Sequence, residues 1–108
     1  IVSILHRISG ALLFLFLWLF LAGLQRSLVS PEAFADVKAA LAQPLAKLLM
    51  LGLLWAYLHH FIAGLRHLWM DTHHDAVSKE FGKSSAIFTL VASIGLALVL
   101  GAKLFGIY

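Results

Sequence analysis

Two groups of polar side chains stand in an otherwise apolar chain. Ser3, His6 and Arg7 lie near its start, and His59, His60, Arg66, His67 and Asp71 lie toward the end of the second long apolar segment, the first two inside its uncharged run. An ionisable residue inside such a run is costly to bury and marks a site unless something else satisfies it. His60, Gly64 and His67 follow at i, i+4 and i+7, so a helix puts them on one face. His60 would sit only about 5–6 Å from the middle of its run, near Ala56–Tyr57, by helical rise. A neutral imidazole at that depth can ligate a haem iron. It can also hydrogen-bond a carbonyl of a neighbouring helix, which is the plainer reading and the one that suits His59. Gly64 would let a flat macrocycle lie close to the backbone. Arg66 and His67 stand nearer the surface, where propionates want cationic or donor partners. Ser3, His6 and Arg7, at i, i+3 and i+4, offer a hydroxyl, an imidazole and a guanidinium at a membrane boundary. That set suits a quinone carbonyl, which needs donors and, on reduction, protons. The alternative is an interfacial anchor in which Arg7 snorkels and Ser3 caps the helix.

The elements that would hold these groups follow from the charges. The chain has 108 residues, 62% of them hydrophobic, and only 13 formal charges. Its mean hydropathy is +0.97. So few charges cannot coat a free soluble domain, whose apolar share is roughly 45–50%. Eighteen residues without Asp, Glu, Lys or Arg separate Arg7 from Arg26, eighteen separate Lys47 from Arg66, and nineteen separate Lys83 from Lys103. As helices these runs are roughly 27–28 Å long, close to the hydrocarbon thickness of a bilayer. No period-2 alternation supports strands. Stretches such as Ala11–Leu24 are apolar on every side, which a soluble three-helix bundle could not hide. The sequence therefore predicts an all-α membrane protein, a single transmembrane unit over 1–108, with helices at about 3–28, 43–71 and 83–107.

The remaining features are connective. Ser30-Pro31-Glu32 is a helix-start signal and predicts a short surface helix over Ala33–Ala42. Thr72–Gly82 reads as a polar connection, with His73 and His74 solvated. The first span lacks the cleavage site of a signal peptide. The chain starts at Ile1, and an upstream segment is expected. Arg7, Arg66, Lys79 and Lys83 at one side balance Arg26, Lys38, Lys47 and Lys103 at the other, so charge leaves orientation undecided. The same scatter argues against nucleic-acid binding. The absence of cysteine excludes a Cys-held cluster or a CxxCH haem attachment. Trp18, Trp55 and Trp69 fit lipid contact and interfaces. Gly95 and Gly101 do not form GxxxG. An antiparallel second helix returns its C-terminal end to the side where the first begins, so the two polar groups meet at one membrane face.

Together the two groups carry a resemblance. Ser3-Ile-Leu-His6-Arg7-Ile-Ser9-Gly10 resembles the S-x-x-H-R-x-[ST]-G signature of the cytochrome b membrane-anchor (C) subunits of succinate dehydrogenase, respiratory complex II. His60-Phe-Ile-Ala-Gly64-Leu-Arg66-His67-Leu-Trp-Met70-Asp71 resembles that family's H-x3-[GA]-x-R-H-x-x-[FYWM]-D signature. Both occur in order and on the expected helices, and the likeness spans essentially the whole chain. There are two departures: the arginine–proline element before the first signature is absent, and His73 stands where a small residue is usual. The resemblance implies one of two membrane anchors that together form a helical bundle. His60 would be one axial ligand of a haem b whose second ligand comes from the other anchor. His6, Arg7, Arg66 and His67 would border the haem edge or propionates. Ser3 and Arg7 would line the ubiquinone site, with Asp71 and Gly64 in support. FAD and iron–sulfur clusters would belong to the flavoprotein and iron–sulfur partner subunits. The motif-bearing side would face the bacterial cytoplasm, placing the chain in the bacterial inner membrane, or else the matrix across the mitochondrial inner membrane. Three other readings stay open: the anchor of a quinol:fumarate reductase, a haem-free structural anchor, and a small transporter or assembly factor.

Overall fold

The computed structural model describes residues 1–73 and 78–107. Four helices follow in order: α1 (Val2–Ser27), α2 (Pro31–Leu41), α3 (Pro44–Thr72) and α4 (Lys79–Leu104). There is no strand among the described residues. α1, α3 and α4, of 26, 29 and 26 residues, are long and apolar enough to cross a membrane. Inside a bilayer no water satisfies a free N–H or C=O, so a single spanning segment closes its own hydrogen bonds as a helix.

The helix ends follow local chemistry. The Ser30 side chain accepts a hydrogen bond from the Ala33 amide at 3.0 Å, Pro31 occupies the first turn, and Glu32 lies near the positive end of α2. Pro44 opens α3 after an extended Gln43. α4 begins at Lys79, four residues before the expected start. The cause is Ser78, whose hydroxyl accepts from the Phe81 amide at 3.0 Å and turns the end of the polar connection into a first helical turn. α4 stops where Gly106 takes φ +77°. The Ile107 amide then donates to Ala102 O at 2.8 Å and the Gly106 amide to Lys103 O at 3.1 Å, a Schellman closure. His74 falls outside the described residues.

The three long helices form a layer with α3 in the middle. The molecule measures 56 × 29 × 18 Å, so it is a flat body thinner than two stacked helices of about 10–12 Å each. Such a layer buries little. Its buried apolar residues are Val2, Ala33, Leu53, Ala56, Ala63 and Ala97, four of them alanines. Large outward side chains such as Leu15 and Trp18 remain more than two-thirds exposed, as expected where lipid or another helix is the solvent.

The two seams of α3 are built differently. Toward α3, α4 sets Ser85, Thr89, Ser93, Ala97 and Gly101 at strict four-residue spacing, the last four buried. Small residues at this spacing let backbones approach closely. A methyl group added at Gly101 would collide with the Leu51 side chain. The Thr89 hydroxyl donates to Ser85 O at 2.8 Å and that of Ser93 to Leu90 O at 3.1 Å, so both are satisfied within α4. The α1 seam carries Val2 and Ser9, both buried, with His6 half-buried between them.

Candidate functional site

The antiparallel return of α3 brings the two polar groups together. The His6 ring stacks on the His60 ring with centroids 4.2 Å apart and planes within 9°. The His67 ring lies 5.2 Å from His6 at a tilt of 48°. Three imidazoles from two helices thus form one cluster, on the face that the i, i+4, i+7 spacing of α3 prescribes.

The hydrogen bonds of His60 set its chemistry. Its Nδ1 lies 3.2 Å from His6 O and 3.4 Å from Ser9 Oγ. A carbonyl only accepts, so Nδ1 carries the hydrogen and Nε2 the lone pair. Ser9 is fully buried, and its own hydroxyl donates to the same carbonyl at 2.9 Å. Ser9 Oγ is therefore left to accept from His60, and the three groups close consistently. Gly10 makes this approach possible. A Cβ there would lie 2.9 Å from His60 Cε1, closer than real contacts allow, and a tight 3.3 Å from Nδ1. At Gly64 an added Cβ would meet His6 Cε1 at an ordinary 3.6 Å.

Other polar groups close to this region are unpaired. His6 Nδ1, Trp55 Nε1 and both ring nitrogens of His59 are buried without a hydrogen-bond partner. His59 was expected to reach a neighbouring carbonyl. It stacks on Trp55, with centroids 5.0 Å apart, and the backbone of Val2 on α1 is the main-chain group that acts on it.

The remaining site residues divide between surface and seam. Ser3 and Arg7, one turn apart, are exposed on the flank of α1 beside the cluster, and Asp71 is exposed one turn beyond His67. Arg66 turns away from the imidazoles. Its Nε–H donates to Ser85 Oγ at 2.8 Å and one Nη to Gly82 O at 3.2 Å, which pins α3 to the first turns of α4. His73 is exposed, stacked 4.4 Å from Trp69, with Nδ1 3.0 Å from Trp69 O. Among the described residues, no three His, Asp or Glu side chains converge as ligands for a bare metal ion. Sequence reasoning gave no role to Ser9 or Gly10, although both stand inside the first motif. It also missed the Ser85 and Gly82 partners of Arg66, which only the α3–α4 register reveals.

The succinate dehydrogenase/fumarate reductase transmembrane subunit family matches residues 1–100, nearly the whole chain and both polar groups. The chain belongs to this family. Among curated members of the succinate dehydrogenase group, the chain is similar to the succinate dehydrogenase cytochrome b556 subunit of Paracoccus denitrificans. The two are 32% identical over 92% of this chain and 75% of the relative. It is also similar to the cytochrome b556 subunit of Coxiella burnetii, at 40% identity over 93% of this chain and 79% of the relative. The succinate dehydrogenase 2 membrane subunit SdhC of Mycobacterium tuberculosis matches at 36% over 61% of this chain and 48% of its own length. These relatives place the chain with the cytochrome b (C) membrane subunits of succinate dehydrogenase. Its three spans and paired polar motifs are those of a multi-pass subunit within an enzyme complex.

Proposed function

We propose that this succinate dehydrogenase subunit holds one side of a haem b through His60 and borders a ubiquinone site with Ser3 and Arg7. The tautomer of His60 carries the reading. Nδ1–H is engaged with His6 O and Ser9 Oγ, so the coordinating electron pair belongs to Nε2. An axial histidine is ordinarily oriented by such a bond from its other nitrogen. One imidazole donor from this chain would hold the haem together with a residue of a second anchor subunit. The buried, unpartnered Nδ1 of His6 supports the same site, because it calls for a hydrogen-bonding group from outside the chain. His6, with His67 and Arg7, would meet the propionates. When bound, the haem would supply a one-electron redox centre.

The chain's own residues would then act on the quinone head group. Arg7 and Ser3 present N–H and O–H donors from one exposed flank and would hold a quinone carbonyl by hydrogen bonds. Asp71, exposed at the same end, would support proton delivery. Electrons would arrive from an iron–sulfur subunit and, before it, from a flavoprotein carrying FAD. Zero cysteines leave this chain without a thiolate-held cluster of its own. The membrane proposed is the bacterial inner membrane, since the similar relatives are bacterial.

A reduced-minus-oxidised visible spectrum of the complex purified through this chain tests the reading. His60→Ala should abolish the b-type bands while the subunits still copurify. A wild-type complex without b-type bands would make the chain a haem-free anchor, and bands retained in the variant would move the ligand to another residue.

A further inference from the structure

The imidazole of His60 is held by more than its hydrogen bonds. Nδ1–H points to His6 O at 3.2 Å and to Ser9 Oγ at 3.4 Å. These contacts fix the tautomer and aim Nε2. They set the ring plane only loosely, because a carbonyl oxygen accepts over a broad range of directions. A twist of the ring about the line of its Nε2 lone pair moves Nδ1 only a little.

The ring of His6 removes that freedom. It lies face to face with His60, with centroids 4.2 Å apart and planes within 9° of parallel. Gly10 closes on the edge of His60, where an added Cβ would come 2.9 Å from Cε1. A ring covered on one face by a parallel ring and crowded at its edge twists only if its neighbours move.

Packing holds His6 in turn. Its Nδ1 is buried without a hydrogen-bond partner, so no bond at that atom orients the ring. His67 leans against it, 5.2 Å away at a tilt of 48°. His6 thus touches two imidazoles of α3 that stand about 10–11 Å apart by helical rise. Gly64 lies between those two on the same face and makes the slot that His6 enters. An added Cβ there would already meet His6 Cε1 at 3.6 Å.

We infer that His6 is a positioning residue whose ring sets the plane of the His60 imidazole, and through it the electronic state of the haem. The inference rests on the reading of His60 as an axial ligand. An axial imidazole donates π density to iron from one plane, so the direction of that plane governs how the iron d orbitals split. This role belongs to the flat face of His6. It is separate from any hydrogen bond that the ring nitrogens make to a propionate.

The test uses the whole complex and the low-temperature EPR spectrum of its oxidised form. There the largest g value of a low-spin ferric haem follows the relative orientation of the two axial planes. His6→Phe and His6→Leu both remove the ring nitrogens, but only His6→Phe keeps a flat ring against His60. His6→Phe should therefore retain the wild-type g value and linewidth, whereas His6→Leu should shift the g value and broaden the line. The same spectrum in both variants would overturn the inference. So would an equal shift in both, which would assign the effect to a lost hydrogen bond. If His6→Leu assembles without haem, full occupancy and a wild-type signal in His6→Phe support the stack, and loss of haem in both variants overturns it. His60→Ala separates this inference from the reading beneath it. Bands that survive in His60→Ala, or that are missing from the wild type, overturn both. Bands lost in His60→Ala with the signal of His6→Leu unshifted overturn the role of His6 alone.

Discussion

The two seams of α3 solve the same packing problem in opposite ways. Against α4, the contact is made of small side chains whose hydroxyls are satisfied within their own helix, and Arg66 closes it by bonding to Ser85 and Gly82. Against α1, the contact is made of imidazoles. One of them is oriented by a carbonyl and a hydroxyl, and another keeps a buried nitrogen with nothing to bond. A seam needed only for cohesion has no reason to bury such groups, because each unmet one costs about 1–3 kcal/mol. The α3–α4 seam is thus held by small side chains and the Arg66 bonds, whereas the α1–α3 seam gathers the imidazoles on which the proposed haem site rests.

The sharpest way to break this comparison is to push the imidazoles apart without removing them. Gly10→Leu places a branched side chain where even a methyl group meets His60 at 2.9 Å. The b-type absorbance of the purified complex should fall by most of its amplitude, although His60 is still present. Full absorbance in that variant would mean that the α1 approach is not what positions the ligand. Gly10→Ala should give a smaller loss and a displaced Soret band, because the His60 ring can give way by a few tenths of an ångström.

The next effect belongs to the other seam. Arg66→Met keeps the length of the side chain but removes the bonds to Ser85 and Gly82. Hydrogen bonds to charged groups contribute about 1.5–3 kcal/mol, so the midpoint of thermal disassembly should drop by several degrees while haem content per assembled complex stays unchanged. Haem loss at unchanged stability would instead show that Arg66 leaves α4 in the assembled enzyme to serve the propionates, as the motif resemblance implies.

How much of this was readable beforehand differs along the chain. The spans could be placed because the three charge-free runs are long, and a bilayer leaves a single segment no conformation but a helix. The start of α4 could not, since Ser78 caps it from inside a stretch whose composition reads as a loop. The meeting of His6 with His60 followed from antiparallel return and helical spacing alone. The partner of Arg66 did not, because an arginine's reach covers both seams and only the register of α3 on α4 selects Ser85. The close-packing stripe was missed for a related reason. A search for paired glycines finds Gly95 and Gly101, whereas the helix uses Ser85, Thr89, Ser93 and Ala97 to the same end.

Ser9 offers the smallest and most discriminating effect. Its hydroxyl bonds the carbonyl that orients His60 and stands 3.4 Å from Nδ1 itself. The carbonyl of His6, at 3.2 Å, remains when the hydroxyl is removed, so Ser9→Ala should not release the haem. What changes is the basicity of the ligand, because Nδ1–H loses one of its two acceptors. A neutral hydrogen bond contributes about 1 kcal/mol, and for a one-electron couple a tenfold change in equilibrium is 59 mV. The haem midpoint potential in Ser9→Ala should therefore move by tens of millivolts at full occupancy, and upward, since a less basic imidazole stabilises ferric iron less. Ser9→Thr, which keeps the hydroxyl, should restore the wild-type potential. If Ser9 only filled space, alanine would alter stability and leave the potential where it was.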